Sequence, residues 1–337
     1  MQTLILFVIM LLVLVIPHEA GHLIMAKICG VYVEEFSVGM GPRLFARQIG
    51  ETQYTLRLLP LGGYCKMLSG DEEGTNPNDS RAFNNKSAAQ KLAILCAGIV
   101  MNVLIAWVLI TGILASVGVA TNVLSDVVKD SPAYEAGLRA GDKVTAVNGH
   151  KSRMWSDTMQ ELSLISDGDV VEITVDRDNA SKTFYMNPVY DEKNERFIVG
   201  IACSVSRNPI DVLVGGVNST VSMNSQILQA FKTIITGQAD KDAVGGPVKI
   251  YQVVDQTKSY GLKSYLSLIA MISLNLAIIN TLPIPSLDGA RMLFVILRKL
   301  SGDRLSYDKE NMVHFMGMFF LLMLFVMITA NDIIGLL

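Results

Sequence analysis

Charge-free apolar stretches run from Met1 to Pro17, Leu92 to Asn122, Ser264 to Leu287 and Gly317 to Asn331, the last extending back to Asn311 with only His314 polar and titratable in between. About 20 apolar residues cross the hydrocarbon core of a bilayer. The pattern therefore predicts four transmembrane helices, at about 3–28, 92–118, 264–284 and 311–331. A secretory signal peptide is the competing reading of the first stretch. It requires a basic leading region and a small-residue cleavage site, and no Lys or Arg precedes Lys27.

Between the second and third stretches the rhythm changes. Over 125–155, Val127 and Val128 open a predicted strand, Ser131 and Pro132 start a short helix that Gly137 closes, and GDKVTAVNGH reads as strand, Asn148-Gly149 turn, strand. Met159, Leu162 and Ile165 have helical spacing, and two alternating strands follow around an Asp178-Asn179 turn. This order resembles a PDZ domain over about 120–205, with SPAYEAGLRAGDKVTAVNG as the specific part. Such folds bind extended peptide ends by strand addition; a steric plug over a membrane site is the plainer expectation. Residues 31–66 read as β-hairpin material, with TQYTLRL alternating and Gly50 at a turn. Residues 211–236 carry Leu213, Val217, Val221, Ile227, Leu228, Phe231, Ile234 and Ile235 at a spacing suited to an amphipathic helix in the membrane interface, a fifth span being the alternative. The expected division is 1–118 and 263–337 as two halves of a membrane core, 119–206 as the PDZ-like domain and 207–262 as the interfacial segment.

Composition agrees. Of 337 residues 50% are hydrophobic, and mean hydropathy is positive, unusual for a soluble domain. Lys27, Arg43, Arg47, Arg57, Lys66, Arg81, Lys86 and Lys91 lie between spans one and two, and Arg291, Arg298, Lys299, Arg304 and Lys309 between spans three and four. Basic residues concentrate in cytoplasmic loops, so both termini and the PDZ-like domain are expected outside the cell membrane. A net charge of −3 without a basic stripe excludes a nucleic-acid partner. Cys29, Cys65, Cys96 and Cys203 are scattered and imply no disulfide framework.

The chemistry enters at the end of the first apolar stretch, in PHEAGH. His18 and His22 lie one helical turn apart and project from one face, where both imidazoles can reach one metal ion, with Glu19 beside them as a general base. The plain alternative is a set of polar residues pairing within a helix bundle. Ionisable groups at membrane depth cost at least about 2.5–3.5 kcal/mol each on the insertion scale and mark function. Two histidines complete only half of a tetrahedral zinc site. Asp288, at the end of span three in NTLPIPSLDGARML, is the candidate third ligand; His314 is taken as an interfacial residue and His150 lies in the external domain. Pro283 and Pro285 break the helix there, which is tolerated where the backbone lines a cavity, and Asn280 offers amide groups to exposed peptide bonds. Asn280, Pro283 and Pro285 are the candidate substrate-binding positions. Asn102 and Gly98 are expected to act as helix-packing residues.

HEAGH at 18–22 and N-x-x-P-x-P-x-L-D-G at 280–289 together resemble the bacterial site-2 proteases, the RseP-like zinc intramembrane metalloproteases. LPLGGYCKM at 59–67, CAGIVMNVLIAW at 96–107 and GGPVKIY at 245–251 extend the resemblance over nearly the whole chain; Ala290 and Cys65 depart from the usual pattern without touching a ligand position. The resemblance implies a polytopic α-helical membrane protein, with a β-hairpin re-entering the membrane beside the site and one extracytoplasmic PDZ-like α+β domain. The implied reaction is zinc-dependent hydrolysis, with Glu19 as base, of a peptide bond in the transmembrane segment of single-span proteins, such as an anti-sigma factor or a remnant signal peptide. A non-proteolytic zinc-binding scaffold is the alternative from another class; it would have no need of Glu19.

Overall fold

In the computed structural model, which describes residues 1–69, 76, 78–192, 195–238, 245–302 and 306–335, the four apolar stretches are helices: α1 (Gln2–Ile28), α2 (Ala88–Val117), α7 (Leu262–Thr281) and α9 (Tyr307–Ile334). All four are long and apolar enough to cross a membrane. Arg304, counted among the cytoplasmic basic residues, lies outside the described residues. Three further helices, α5 (Pro209–Ile235), α6 (Pro247–Ser259) and α8 (Asp288–Leu300), fill the second half of the chain. Contacts divide the molecule into a unit of residues 1–113 with 216–337 and a second unit of residues 114–215.

In the first unit, Met10 and Leu14 of α1 pack with Val254 of α6 and Tyr265, Leu268 and Ile269 of α7. The Tyr265 hydroxyl donates to the Leu6 carbonyl at 2.6 Å, satisfying a polar group that burial would otherwise penalise. The far end of α1, through Leu23 and Ala26, packs with Val31, Val33 and Phe36 and with Ile94 of α2. Along α9 only Gly317 is buried, as suits a helix whose apolar surface faces lipid.

Two long strands follow α1: β1 (Val33–Ile49) and β2 (Thr52–Met67). Their pairing is richer than the single hairpin predicted. Residues 35–38 stand against 63–66 and simultaneously against 53–56, while 43–49 pair with 52–57. The chain thus folds twice on itself. Glu35 ties the layers: it is buried, accepts from Thr55 Oγ1 at 2.6 Å and pairs with Arg57 at 2.9 Å. Burial would push its carboxyl up, but these donors outweigh that and hold it below the usual range.

The 114–215 unit contains β3 (Val119–Val127), α3 (Pro132–Glu135), β4 (Lys143–Val147), β5 (His150–Lys151), α4 (Trp155–Ser163), β6 (Val171–Arg177), β7 (Ala180–Met186), β8 (Val189–Asp191), β9 (Arg196–Ile198) and β10 (Ile201–Ser206). The main sheet runs in the order β10-β3-β4-β6-β7. It wraps a core that includes Leu124, Leu138, Val144, Val147, Ile173 and Val175. Ser131 caps α3 by accepting from the Tyr134 N–H. Asp178 and Asn179 both take positive φ, 57° and 60°, the requirement of a tight hairpin turn between twisted strands.

One expected strand is displaced. Val127 closes β3 rather than opening a strand. The preceding residues do not look like strand because Asn122 is polar yet buried, its amide donating to the Ser152 and Val144 carbonyls at 2.9 and 3.2 Å. The β8–β9 hairpin and the edge strand β10 had no counterpart in the sequence pattern.

Candidate active site

On α1 the one-turn spacing does what helix geometry requires: the His18 and His22 rings meet edge to face with centroids 4.8 Å apart. Both are buried, at 8% and 6% exposure. Asp288 approaches from the first turn of α8. Its Oδ2 lies 3.3 Å from His18 Nε2 and 3.4 Å from His22 Nε2, and the two Nε2 atoms are 3.3 Å apart. These three side chains form the one group of potential metal ligands gathered in this way among the described residues.

The triangle tests whether a zinc ion fits. Tetrahedral bonds of about 2.0–2.1 Å place neighbouring ligand atoms about 3.3–3.4 Å apart. All three edges have that length, and two neutral imidazoles with one carboxylate are a donor set zinc accepts. The residues fit the ion.

Both imidazoles have a polar neighbour at Nδ1. His22 Nδ1 stands 2.9 Å from the Ile94 carbonyl; a carbonyl only accepts, so Nδ1 carries the proton and Nε2 faces the site with a lone pair. The Asn102 amide stands 3.3 Å from His18 Nδ1, and Asn280 Nδ2 is 3.4 Å from His18 Nε2. Gly98 makes room for both rings: a Cβ there would lie 2.4 Å from His22 Nε2 and 2.8 Å from His18 Cε1.

Asp288 was expected at the end of span three, but α7 stops at Thr281 and Asp288 begins a separate helix. Pro283 and Pro285 lack the N–H groups that would continue α7. The turn back into α8 is close enough that a Cβ on Gly289 would lie 2.3 Å from the Leu282 carbonyl oxygen. Ser286 takes φ of 81°, a strained value for a residue with a side chain. His314 of α9 holds it there, Nδ1 accepting from the Ser286 N–H at 2.9 Å while the Ser286 hydroxyl donates to the His314 carbonyl at 2.7 Å.

A cavity of about 300 Å3 opens onto the triangle, lined by Glu19, Gly63, Tyr64, Cys65, Asn280 and Arg291 among others. Among the described residues, no hydrogen bond or ion pair engages the carboxylate of Glu19 or the guanidinium of Arg291. Gly63, Tyr64, Cys65 and Met67 of β2 line this cavity. Of the expected positions, the structure brings His18, Glu19, His22, Asn280 and Asp288 together. Pro283 and Pro285 do not line the cavity; they shape the break that carries Asp288. His150 is exposed in the 114–215 unit and pairs with Glu161 at 2.9 Å. Sequence patterning missed Asn102 and Gly98 as neighbours of the imidazoles, His314 as the clamp on Ser286, and Arg291, whose three-residue spacing from Asp288 was the available signal.

The family model for peptidase family M50 matches residues 6–324. The chain belongs to this family. A Clostridium perfringens protein whose name includes the words zinc metalloprotease is 37% identical over 324 residues, covering 95% of each chain. Zinc metalloprotease RasP of Bacillus licheniformis is 29% identical over 99% of both chains. Regulator of sigma-W protease RasP of Bacillus subtilis is 28% identical over 98% of both. Among solved structures, the PDZ domain of an SdrC-like protein from Listeria monocytogenes is 22% identical over 26% of this chain and 86% of that one, with a TM-score of 0.22. Its counterpart from Listeria innocua is 24% identical over 26% and 96%, with a TM-score of 0.23. As an M50 peptidase the chain is a multi-pass membrane metalloendopeptidase of the site-2 type, and zinc is its cofactor.

Proposed function

We propose that His18, His22 and Asp288 hold the catalytic zinc and that Glu19 is the general base of peptide hydrolysis. The observation that carries this is the triangle of donor atoms with edges of 3.3–3.4 Å, brought together from α1 and α8 although His22 and Asp288 lie 266 residues apart in the chain. Zinc supplies Lewis acidity at this position. Glu19, which lines the cavity, takes a proton from water and delivers it to the leaving amine. Arg291 offers guanidinium donors to the carbonyl oxygen on which charge develops. Asn280 bonds to peptide groups beside the scissile bond.

The substrates are single-span membrane proteins cut within or near the bilayer, of the anti-sigma-factor or remnant-signal-peptide type. A helix hides its carbonyls, so the segment must be extended to be cut. The main chain at Gly63, Tyr64 and Cys65, which line the cavity, receives an extended segment by strand addition, in the manner of a re-entrant sheet beside the site. The basic residues between the spans favour cytoplasmic loops, with both termini and the 114–215 unit outside. There the PDZ-like unit takes a peptide end or limits substrate size, and α5 lies in the membrane interface. A zinc-binding scaffold without proteolysis leaves Glu19 with no task.

The test is Glu19→Gln in the full-length enzyme with a single-span reporter protein in proteoliposomes. The expected result is full zinc content with cleavage abolished. Unchanged cleavage refutes the role of Glu19, and unchanged zinc in His18→Ala refutes the ligand set.

A further inference from the structure

His18 and His22 look equivalent in the sequence, but the groups behind them are not. The Nδ1 of His22 faces a main-chain carbonyl, which no substitution of a side chain removes. The Nδ1 of His18 faces the side chain of Asn102 on α2, with the amide nitrogen Nδ2 placed 3.3 Å away. Asn102 is completely buried, and its Oδ1 is without a hydrogen-bond partner. Such an orphaned amide oxygen is costly in a protein interior. Its main chain is also held, since Ser273 Oγ of α7 donates to the Asn102 carbonyl at 2.8 Å. Asn102 therefore sits fixed at the junction of α1, α2 and α7.

We infer that Asn102 is the positioning residue that holds His18 in the tautomer able to bind zinc, by accepting the Nδ1 proton on its amide oxygen. The inference rests on His18 being a zinc ligand. Nε2 is the His18 atom that faces His22 and Asp288, so Nε2 must present its lone pair to the metal and Nδ1 must carry the proton. A protonated Nδ1 needs an acceptor. The two ends of a carboxamide are nearly alike in shape, and a half-turn about the terminal bond exchanges them. With the oxygen toward Nδ1, the orphaned acceptor is used. Bound zinc withdraws charge from the ring and makes Nδ1–H a stronger donor, so metal binding itself selects this orientation. An amide directing its NH2 at Nδ1 favours the opposite tautomer, with the proton on Nε2 where the ion belongs.

This gives Asn102 a role that packing alone does not. A residue that only filled space between α1 and α2 would be replaceable by leucine of similar size. One that accepts a proton would be replaceable by aspartate and not by leucine.

The experiment measures zinc affinity of the full-length enzyme in detergent by competition with a chromophoric chelator, for wild type, Asn102→Leu, Asn102→Asp and Ser273→Ala. Asn102→Leu is expected to bind zinc about 10- to 100-fold more weakly, the range for loss of a group behind a metal-bound histidine. Asn102→Asp is expected to restore binding to wild-type strength or better. In the cobalt-substituted protein, the visible ligand-field bands should shift in Asn102→Leu and return in Asn102→Asp. Ser273→Ala removes the bond that holds the Asn102 main chain but keeps its amide, and is expected to weaken zinc binding less than Asn102→Leu does. The inference is overturned if Asn102→Leu binds zinc as tightly as wild type, or if leucine and aspartate weaken binding equally. Should Asn102→Leu fail to fold, a folded Asn102→Asp that binds zinc tenfold more weakly overturns it, and one that binds as wild type supports it. His18→Ala separates the two levels of the argument. If it keeps wild-type zinc affinity the ligand assignment fails; if it loses zinc while Asn102→Leu does not, only the role of Asn102 fails.

Discussion

Asp142 in the 114–215 unit and Asp288 at the start of α8 are both withdrawn from solvent, with side-chain exposures of 2% and 17%, yet their surroundings differ in kind. Asp142 is satisfied on both oxygens. Arg177 donates to each from Nε and Nη2 at 2.6 Å, and the Arg139 N–H adds a third bond at 2.9 Å. Asp288 faces two imidazole nitrogens at 3.3 and 3.4 Å, the arrangement we propose to share one cation. The closed arrangement stabilises a fold, because breaking either partner strands a buried charge. The open one holds ligand atoms in readiness at a cost to stability, the usual bargain at a functional site.

The sharpest way to break this contrast is Glu19→Gln, which touches only the open cluster. Loss of a general base lowers turnover by about 10²- to 10⁴-fold, so reporter cleavage should fall at least that far while zinc content and thermal unfolding stay as in wild type. Asp288→Ala comes next. It should lower zinc affinity by more than the roughly 10- to 100-fold that follows loss of an outer partner, read by chelator competition, and leave the chain folded. An unfolded Asp288→Ala protein would put Asp288 in the same class as Asp142.

Arg177→Leu reverses the logic. It should cost the 114–215 unit about 3 kcal/mol, at the lower end for a broken buried pair because Arg177 is partly exposed, with zinc content unchanged. Trp155, which packs on that unit's core, reports its unfolding in a Trp107→Phe background. A smaller effect is expected with pH. Burial pushes the Asp142 carboxyl up, but the donors from Arg177 and Arg139 outweigh it and hold it below the ordinary value. A depressed carboxyl contributes stability at pH above its unfolded value of about 3.9 and loses it as pH falls through the lower folded value. The Trp155 transition should therefore show no Asp142 contribution to pH dependence between pH 5 and 7, using roughly the window set by that unfolded value. Below about pH 4 it should weaken, and less so in Arg177→Leu.

The parts of this architecture legible in the sequence are those encoded over short spans of chain. Apolar runs gave the four long helices, the i and i+4 histidines gave one face of α1, and Asp178-Asn179 gave a turn. What stayed hidden depends on contacts far apart in sequence. Nothing near Asn102 indicates that its amide meets a histidine 84 residues earlier, so it looked like a polar packing residue. His314 looked interfacial because its partner, the strained Ser286, lies 28 residues away in the chain. The double pairing of residues 35–38 escaped notice for the same reason: a period of two shows that a strand exists but not how many neighbours it has. Asp288 was placed on the right segment but on the wrong helix, since the two prolines signal a break and not where the chain resumes.

The central claim is that zinc is held by His18, His22 and Asp288 and by no sulfur, although Cys65 lines the same cavity. Zinc K-edge X-ray absorption on the purified full-length enzyme addresses it directly. The account predicts a shell of nitrogen and oxygen scatterers near 2.0–2.1 Å, with the outer-shell signature of two imidazoles. A sulfur shell near 2.3 Å, or an unchanged two-imidazole spectrum in His18→Ala, would contradict it.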